Sequence, residues 1–240
     1  MTVPESENMM RKVIQNIITI ESVLVIILCC FCARKYYIGR EAETSASETV
    51  AESDELLKKV AITFDDGPNQ DYTEALLDGL KERGVHATFF LLGKEVEKYP
   101  EIVEKIYEDG HMIGTHSYEH VNLCNLTDAA ATEQIDKTNQ AIYKITGEYP
   151  EYIRPPFGSW KCILDYKTTM IEVLWDVDPL DWKTSNSDVV AKRVVDKVQE
   201  NDIILLHDAS ESSVNAAFKI IDQLQEEGYT FVTVDEIMLD

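Results

Sequence analysis

Strand-like and helix-like runs alternate in a regular order from residue 60 to the end of the chain. The first strand candidate, 60–64, alternates larger apolar residues with smaller residues, and a helical spacing of apolar residues follows over 72–83. Seven strands separated by helices predict a parallel sheet, and a barrel holds that many repeats more readily than an open sheet. We therefore expect an α/β fold, a (β/α) barrel of about seven parallel strands. The other predicted strands are 87–92, 112–114, 151–154, 171–175, 202–206 and 230–234, and the other predicted helices are 101–108, 128–145, 188–199 and 214–226.

Chemically active side chains follow the ends of several of these strands. Residues 60–68 run from the first strand into two adjacent carboxylates, Asp65 and Asp66, and stop at a Gly-Pro turn signal. Consecutive side chains on a strand point to opposite faces, so two neighbouring acids converge only where the strand ends. In parallel α/β barrels the chemistry lies at the carboxyl ends of the strands. The other residues at such ends are His116, Arg154, Asp181 and His207.

Two histidines spaced four residues apart, His116 and His120, suit a metal ion. On one turn of a helix this spacing places both imidazoles on the same face. A carboxylate from a strand end completes a His₂–carboxylate set, the ligand count of a catalytic zinc site with an open position for water. The same ligands suit iron or nickel, so the residues leave the ion open. His86 and His111 lie beside predicted strands, and we interpret both as structural.

Composition excludes some classes of protein. The formal net charge of −22 argues against nucleic acid as a partner, because phosphate binding needs a basic face. Three of the five cysteines lie in one apolar run, which leaves Cys124 and Cys162 for the folded part. This number fits neither a disulfide scaffold nor a cysteine-based zinc site. The length and the 45% hydrophobic content allow one sizeable core.

The N-terminal segment differs in composition from the rest of the chain. A short polar tail, 1–12, precedes a predominantly apolar segment, 13–33, which is long enough to span a bilayer as a helix. No convincing cleavage signal follows it, so we favour an uncleaved transmembrane signal-anchor over a cleaved signal peptide. Residues 34–55 are expected to form a juxtamembrane and acidic linker, and 56–240 the folded domain. Basic residues flank the apolar segment on both sides and do not settle its orientation.

Five motifs along the predicted domain resemble, in order, those of the polysaccharide deacetylase family, carbohydrate esterase family 4 or the NodB-homology domain. The motifs are T-F-D-D-G-P at 63–68, H-S-Y-E-H at 116–120, R-P-P-F-G at 154–158, D-P-L-D-W at 178–182 and L-L-H-D at 205–208. The resemblance covers residues 59 to about 239. It implies a distorted (β/α) barrel that removes acetyl groups from N-acetylated sugars. It also implies one divalent metal ion, zinc in the first instance, with cobalt, nickel and iron as alternatives.

The resemblance further implies a role for each motif residue. Asp65 is the expected general base, and Arg154 is expected to hydrogen-bond it and keep it ionised. His207 is the expected general acid, its pKa tuned by Asp181. The backbone N–H of Phe157 is expected to help bind the oxyanion; the family often has tyrosine there, but this role uses the main chain. The expected metal ligands are Asp66, His116 and His120, and the expected substrate-binding residues are Trp182, Leu205 and Pro156.

These residue types meet the needs of amide hydrolysis at neutral pH. The reaction requires an activated water, a stabilised oxyanion and a proton for the leaving amine. A carboxylate that is not a metal ligand can take a proton when an arginine nearby favours its charged form. A histidine beside an aspartate can supply a proton, because the negative charge favours the imidazolium.

We therefore expect a metal-dependent hydrolase that removes N-acetyl groups from N-acetylglucosamine residues of an extracytoplasmic polysaccharide, with peptidoglycan as the first candidate. The alternatives within the family are an O-acetyl esterase acting on acetylated xylan and a chitin-oligosaccharide deacetylase. An inactive glycan-binding domain is a further hypothesis, against which the intact set of acids and histidines argues. An iron-dependent oxygenase is remoter, since it has no evident use for Arg154 and Asp65. The chain resembles membrane-anchored peptidoglycan deacetylases, so we expect a monomeric catalytic domain outside the cell membrane, held by a single-pass helix.

Overall fold

The computed structural model describes residues 58–238. The predictions for 1–12, 13–33 and 34–55, including the N-terminal hydrophobic helix, lie outside the described residues and stay predictions. Within the described range, none of the helices combines the length and the apolar character needed to cross a bilayer.

The described residues contain seven strands in one sheet, and all their pairings are parallel. The strands are β1 (Lys58–Asp65), β2 (Thr88–Leu91), β3 (Met112–Thr115), β4 (Tyr152–Ile153), β5 (Ile171–Glu172), β6 (Ile203–His207) and β7 (Tyr229–Val232). Their order is β5-β4-β3-β2-β1-β6, and β7 pairs with the first half of β1. After β5, a parallel bridge joins Val177 to Ile204 of β6, so the two edges of the sheet meet. The predicted distorted (β/α) barrel is confirmed.

β1 is the centre of the sheet because it is apolar on both faces. Its residues from Val60 to Asp65 are all buried, which is typical of a parallel strand covered on both sides. The second half of β1 pairs with β2 and with β6, and Asp65 lies in register with Phe90 and with His207. The sheet register therefore brings the acidic end of β1 beside the histidine at the end of β6.

In the part of the chain that the structure describes, six α-helices lie between strands and a seventh follows β7. They are α1 (Thr73–Glu82), α2 (Gly93–Lys98), α3 (Pro100–Glu108), α4 (Asp128–Thr146), α5 (Ser187–Val195), α6 (Glu211–Glu226) and α7 (Val234–Met238). Local capping fixes the ends of the longest, α4. Thr127 accepts a hydrogen bond from the Ala130 N–H at its start, and Gly147 ends it with φ 78°. Asn186 and Ser210 cap the starts of α5 and α6 in the same way.

The predicted elements are all present, and the differences lie at their ends and in two short helices. The predicted strand 171–175 ends at Glu172, because the next carbonyl oxygens, of Val173 and Leu174, accept hydrogen bonds from Arg154. The predicted strand 230–234 ends earlier too, and Val234 begins α7 instead. Helices α2 and α7 are absent from the sequence prediction, since five or six residues are too few to show a helical period. The helix predicted over 188–199 ends at Val195.

The two faces of the curled sheet carry different side chains. On the outer face, Phe64 and Phe89 stack with ring centroids 5.3 Å apart, within the main apolar core that the helices cover. Strand residues whose side chains point to the opposite, inner face form a smaller cluster, which is completed by Val173 after β5 and by Val234 of α7. This inner cluster contains Ala61, Phe90, Tyr152, Val173, Ile203 and Val234. Asp65 shares the parity of Ala61, so its side chain enters the barrel above this apolar plug.

His111, which precedes β3, is buried at the end of the strand away from Thr115. Its Nδ1 accepts a hydrogen bond from the Ala87 N–H at 3.2 Å, and only 6% of the residue is exposed. Burial lowers the pKa of His111 to about 4. The neutral imidazole is therefore part of the packed structure.

This burial predicts that acid destabilises the fold through His111. Because the pKa is lower in the folded state, the unfolded chain binds the proton first as pH falls from 6.5 towards 4, and stability is lost over that window. The loss amounts to about 2 kcal/mol at pH 5. His111→Asn keeps an acceptor for the Ala87 N–H and cannot titrate, so its free energy of unfolding in urea should fall less between pH 7 and pH 5. Equal falls in the two proteins would contradict the prediction.

Candidate active site

The floor of the site is an ion pair between Arg154 and Asp65, both buried inside the barrel. Arg154 Nη1 donates to Asp65 Oδ1 at 2.8 Å and to Thr63 Oγ1 at 2.6 Å. Arg154 Nε and Nη2 donate to the carbonyl oxygens of Val173 and Leu174 at 3.4 and 3.0 Å. A guanidinium with no exposed surface is tolerated here because a carboxylate and three further acceptors surround it. The hydrogen bond from Arg154 therefore fixes the orientation of the Asp65 carboxylate.

Three side chains with metal-binding atoms converge beside this pair, namely Asp66, His116 and His120. Their ligand atoms all lie within 4.8 Å of one another. Asp66 Oδ1 is 3.5 Å from His116 Nε2 and 3.4 Å from His120 Nε2. The same oxygen is buried and has no hydrogen-bond partner among the described residues. A buried, unpaired carboxylate oxygen that faces two imidazole nitrogens fits the divalent metal that the family implies.

The backbone decides which nitrogen His116 presents. Its Nδ1 is 2.6 Å from the carbonyl oxygen of Arg154, which can only accept, so Nδ1 carries the proton. The lone pair is then on Nε2, the nitrogen that faces Asp66. Burial lowers the pKa of His116, while Asp65 and Asp66 oppose this effect. The imidazole is therefore held in the neutral form, which is the form that binds metals.

The expectation that His116 and His120 share one helical turn is wrong. Both lie in a loop after β3, in which Ser117 and His120 have positive φ values of 63° and 56°. The carbonyl oxygen of Ser117 accepts from the N–H of Gly93, one of the unpaired donors at the start of α2. A side chain at Gly93 would collide with Tyr118, since its Cβ would lie 2.4 Å from that ring. This packing shapes the loop, and the two imidazole centroids still lie 5.1 Å apart.

His207 and Asp181 form a second hydrogen-bonded pair. His207 Nδ1 lies 2.8 Å from Asp181 Oδ1, and the His207 backbone N–H donates to Oδ2 at 2.9 Å. Although burial alone lowers the pKa of His207, the hydrogen bond and charge of Asp181, with the charges of Asp65 and Asp66, raise it to about 9. His207 is therefore protonated at neutral pH. Because Nδ1–H is bonded to Asp181, the proton on Nε2 is the one available to a ligand.

Nearly all of the predicted site residues line one cavity of about 870 Å³, a size typical of small-ligand sites. Those that line it are Asp65, Asp66, His116, His120, Phe157, Asp181, Trp182, Leu205 and His207. The side chain of Trp182 is largely exposed there, and Leu205 is buried in the wall. The structure does not bring Arg154 or Pro156 to the cavity surface, because both are buried behind it.

Several residues that the structure places at the site have no role predicted from the sequence. The cavity wall beyond His207 is polar, with hydroxyl groups and the ammonium of Lys183, which lies 4.3 Å from the Trp182 ring centroid. Asp208 is buried behind the wall, and burial raises its pKa to about 6. Asp208 is the last residue of the L-L-H-D motif. Its presence in a recognised motif is the sequence feature that could have identified it as a site residue.

A curled parallel sheet that carries an Asp–His–His set, an arginine-bound carboxylate and a hydrogen-bonded His–Asp pair at its strand ends defines an α/β-barrel protein with a candidate active site at those ends. The chain belongs to the polysaccharide deacetylase family. The model of this family, described as polysaccharide deacetylase, matches residues 53–173.

Curated relatives carry the same domain within longer chains. Peptidoglycan-N-acetylmuramic acid deacetylase PdaC of Bacillus subtilis is 41% identical over 180 residues, which is 75% of this chain and 38% of the relative. Peptidoglycan-N-acetylglucosamine deacetylase PgdA of Listeria monocytogenes is 36% identical over 180 residues, 75% of this chain and 39% of the relative. The chain therefore spans about two fifths of the length of these curated relatives.

Solved structures share the fold across active and inactive members. The structure of peptidoglycan deacetylase PdaC from Bacillus subtilis matches with a TM-score of 0.75 at 40% identity, over 77% of this chain and 91% of that one. A wild-type protein from Bacillus anthracis, described as a CE4 family pseudoenzyme, matches with a TM-score of 0.71 at 31% identity, over 76% and 66%. Activity therefore has to be argued from the site residues.

Removing the Asp181 charge should lower the pKa of His207. In Asp181→Asn the burial that lowers this pKa remains, while the largest effect that raises it is lost. We expect the titration of the His207 imidazole, followed by NMR, to move from about 9 to lower pH by at least about one unit. Asp188→Asn, which removes an exposed carboxylate from α5, is the matched control and should leave the titration in place. An unchanged titration in Asp181→Asn would contradict the assigned pairing.

Proposed function

We propose that this protein is a metal-dependent hydrolase that removes acetyl groups from N-acetylglucosamine residues of peptidoglycan. The observation that carries the proposal is the convergence, in one cavity, of an Asp–His–His ligand set, an arginine-held carboxylate and a protonated histidine. The names of PdaC and PgdA support the reaction and the polymer. The two names differ in the sugar, N-acetylmuramic acid for PdaC and N-acetylglucosamine for PgdA. The experiment therefore also has to identify which sugar loses its acetyl group.

Asp66, His116 and His120 would hold the ion, with zinc as the first candidate and cobalt, nickel or iron as alternatives. Such an ion, when bound, lowers the pKa of water and polarises the acetamide carbonyl. Asp65 is free to act as the base through one oxygen only. Its Oδ1 is bound by Arg154, whereas Oδ2 lies 3.8 Å from His116 Nε2, next to the ligand set. Asp65 Oδ2 therefore takes the proton of the attacking water.

His207 completes the reaction as the general acid. Its Nε2 proton passes to the amide nitrogen as the carbon–nitrogen bond breaks, which releases acetate and leaves a free amine on the sugar. Asp181 holds the ring and favours the protonated form that this step requires. The backbone N–H of Phe157 would help to bind the oxyanion, and Trp182 and Leu205 would enclose the acetyl methyl group.

The test is acetate release from peptidoglycan, chitin oligosaccharides and acetylxylan, with chelator and then with added zinc. The proposal predicts release from peptidoglycan that stops with chelator and returns with zinc, and mass spectrometry of the digested product should place the free amine on glucosamine. Release from acetylxylan alone would make the protein an O-acetyl esterase, and release from chitin oligosaccharides alone would make these the substrate. No release from any polymer, despite bound zinc, would contradict the proposal and would favour the hypothesis of an inactive domain.

The two adjacent acids are expected to have separate tasks. Asp66→Ala removes a proposed ligand and should abolish tight metal binding. Asp65→Asn keeps all three ligands, so it should retain the metal and lose about 100-fold or more in kcat, the usual contribution of a general base. Metal content by elemental analysis, measured beside acetate release, separates the two effects. An Asp65→Asn protein that is folded, as judged by circular dichroism, but free of metal would show that the roles are reversed or shared.

We also propose that residues 13–33 anchor the domain on the outer face of the cytoplasmic membrane. The proposal rests on an apolar segment long enough to span and on a polymer that lies outside the cell. The acidic stretch 41–55 could reach only roughly 50 Å when fully extended, so the domain would act on wall material near the membrane. Protease added to intact cells should then remove the domain. Protection until the membrane is opened would place the domain in the cytoplasm, and the peptidoglycan assignment would fail with it.

A further inference from the structure

Among the described residues, no hydrogen bond fixes the side chain of Asp66, the proposed metal ligand. Its Oδ1 is buried without a hydrogen-bond partner in the described part of the chain. Its backbone has a φ of 74°, a conformation that residues other than glycine seldom adopt and that surrounding structure has to maintain. The position of Asp66 is therefore set by its neighbours.

One of these neighbours is Asp208, which follows His207 at the end of β6 and is 1% exposed. Its carboxylate packs directly on Gly67, the residue after Asp66. A Cβ added at Gly67 would lie 2.6 Å from Asp208 Oδ2 and 3.0 Å from Oδ1, so only glycine allows this approach. On the other side of the turn, the carbonyl oxygen of Gly67 accepts from the Leu92 N–H at 3.0 Å.

A threonine hydroxyl connects Asp208 to the same loop. Thr73 is the first residue of α1 and is fully buried. Its Oγ1 donates a short hydrogen bond to Asp208 Oδ2 and accepts one from the Asn69 N–H at 2.7 Å. The hydroxyl thus uses its donor on the carboxylate and its acceptor on the loop, which a valine of the same shape could not do.

We propose that Thr73 and Asp208 are positioning residues that hold the turn after Asp66 so that its carboxylate faces His116 and His120 before the metal binds. The chain of hydrogen bonds from the Asn69 N–H through Thr73 to Asp208 is called the Thr73–Asp208 relay. This inference rests on the metal binding in the proposed function. It adds two residues, Thr73 and Asp208, to which the resemblance assigns no role. Partners behind metal ligands set ligand geometry, and losing one typically weakens metal affinity 10- to 100-fold.

The test compares Thr73→Val, which removes the hydroxyl, with Thr73→Ser, which keeps it. The dissociation constant for zinc is measured on the full chain by competition with a chromophoric chelator, and no substrate is needed. The relay predicts an affinity about 10- to 100-fold weaker in Thr73→Val and within about threefold of wild type in Thr73→Ser. Equal affinities in Thr73→Val and wild type, or equal losses in both variants, would overturn the proposal.

A second pair of variants separates positioning from folding. Asp208→Asn retains an acceptor for the Thr73 hydroxyl, whereas Asp208→Ala retains none, so the alanine variant should bind zinc more weakly than the asparagine variant. Urea unfolding in chelator shows whether each metal-free variant is folded, and if Thr73→Val is not, the Asp208 pair decides. Equal zinc affinities in that pair would overturn the relay. A wild-type chain that binds none of zinc, cobalt, nickel and iron would instead contradict the proposed function itself.

Discussion

The buried ion pair between Arg154 and Asp65 is the interaction on which the rest of the site depends. The guanidinium donates to the end of β1 and to the carbonyl oxygens after β5, so it joins the centre of the sheet to its edge. The carbonyl oxygen of Arg154 also binds His116 Nδ1 and thereby orients a metal-binding nitrogen. Losing one partner of such a pair leaves a buried charge, at a cost of about 3–5 kcal/mol. Stability and chemistry therefore depend on the same residue.

The parallel pairing of β1 with β6 explains how the proposed base, Asp65, and the proposed acid, His207, come to line one cavity. Asp65 and His207 are register partners at the ends of these strands, so the fold sets their spacing. Their environments differ, since Asp65 lies against a buried cation and His207 against a buried carboxylate. The candidate metal-ligand set lies on the β2 side of β1 and comes from the turn after Asp65 and the loop after β3. Adjacent strands therefore carry the residues that the proposed hydrolysis requires.

The sequence was sufficient for features that follow from local patterns. The buried run of β1, the turn after Asp66 and the spacing of His116 and His120 are all visible as short-range signals. The barrel follows from the repeated alternation of strand and helix patterns along the chain. What it missed depends on contacts between distant residues. The loop around His120 is shaped by the start of α2, and β5 ends early because Arg154 binds the carbonyl oxygens of the two residues that follow it. The role inferred for Asp208 needs Thr73, 135 positions away, which no local pattern reveals.

The most direct test of this account is the location of a metal ion in crystals of the protein grown with zinc. Anomalous diffraction at the zinc absorption edge shows the ion itself, independently of any substrate. The account predicts one strong peak bound by Asp66, His116 and His120, at about 2.0–2.2 Å from each ligand atom, with Asp65 outside the coordination sphere. A zinc ion that Asp65 also coordinates, or zinc bound only at another site, would contradict this expectation.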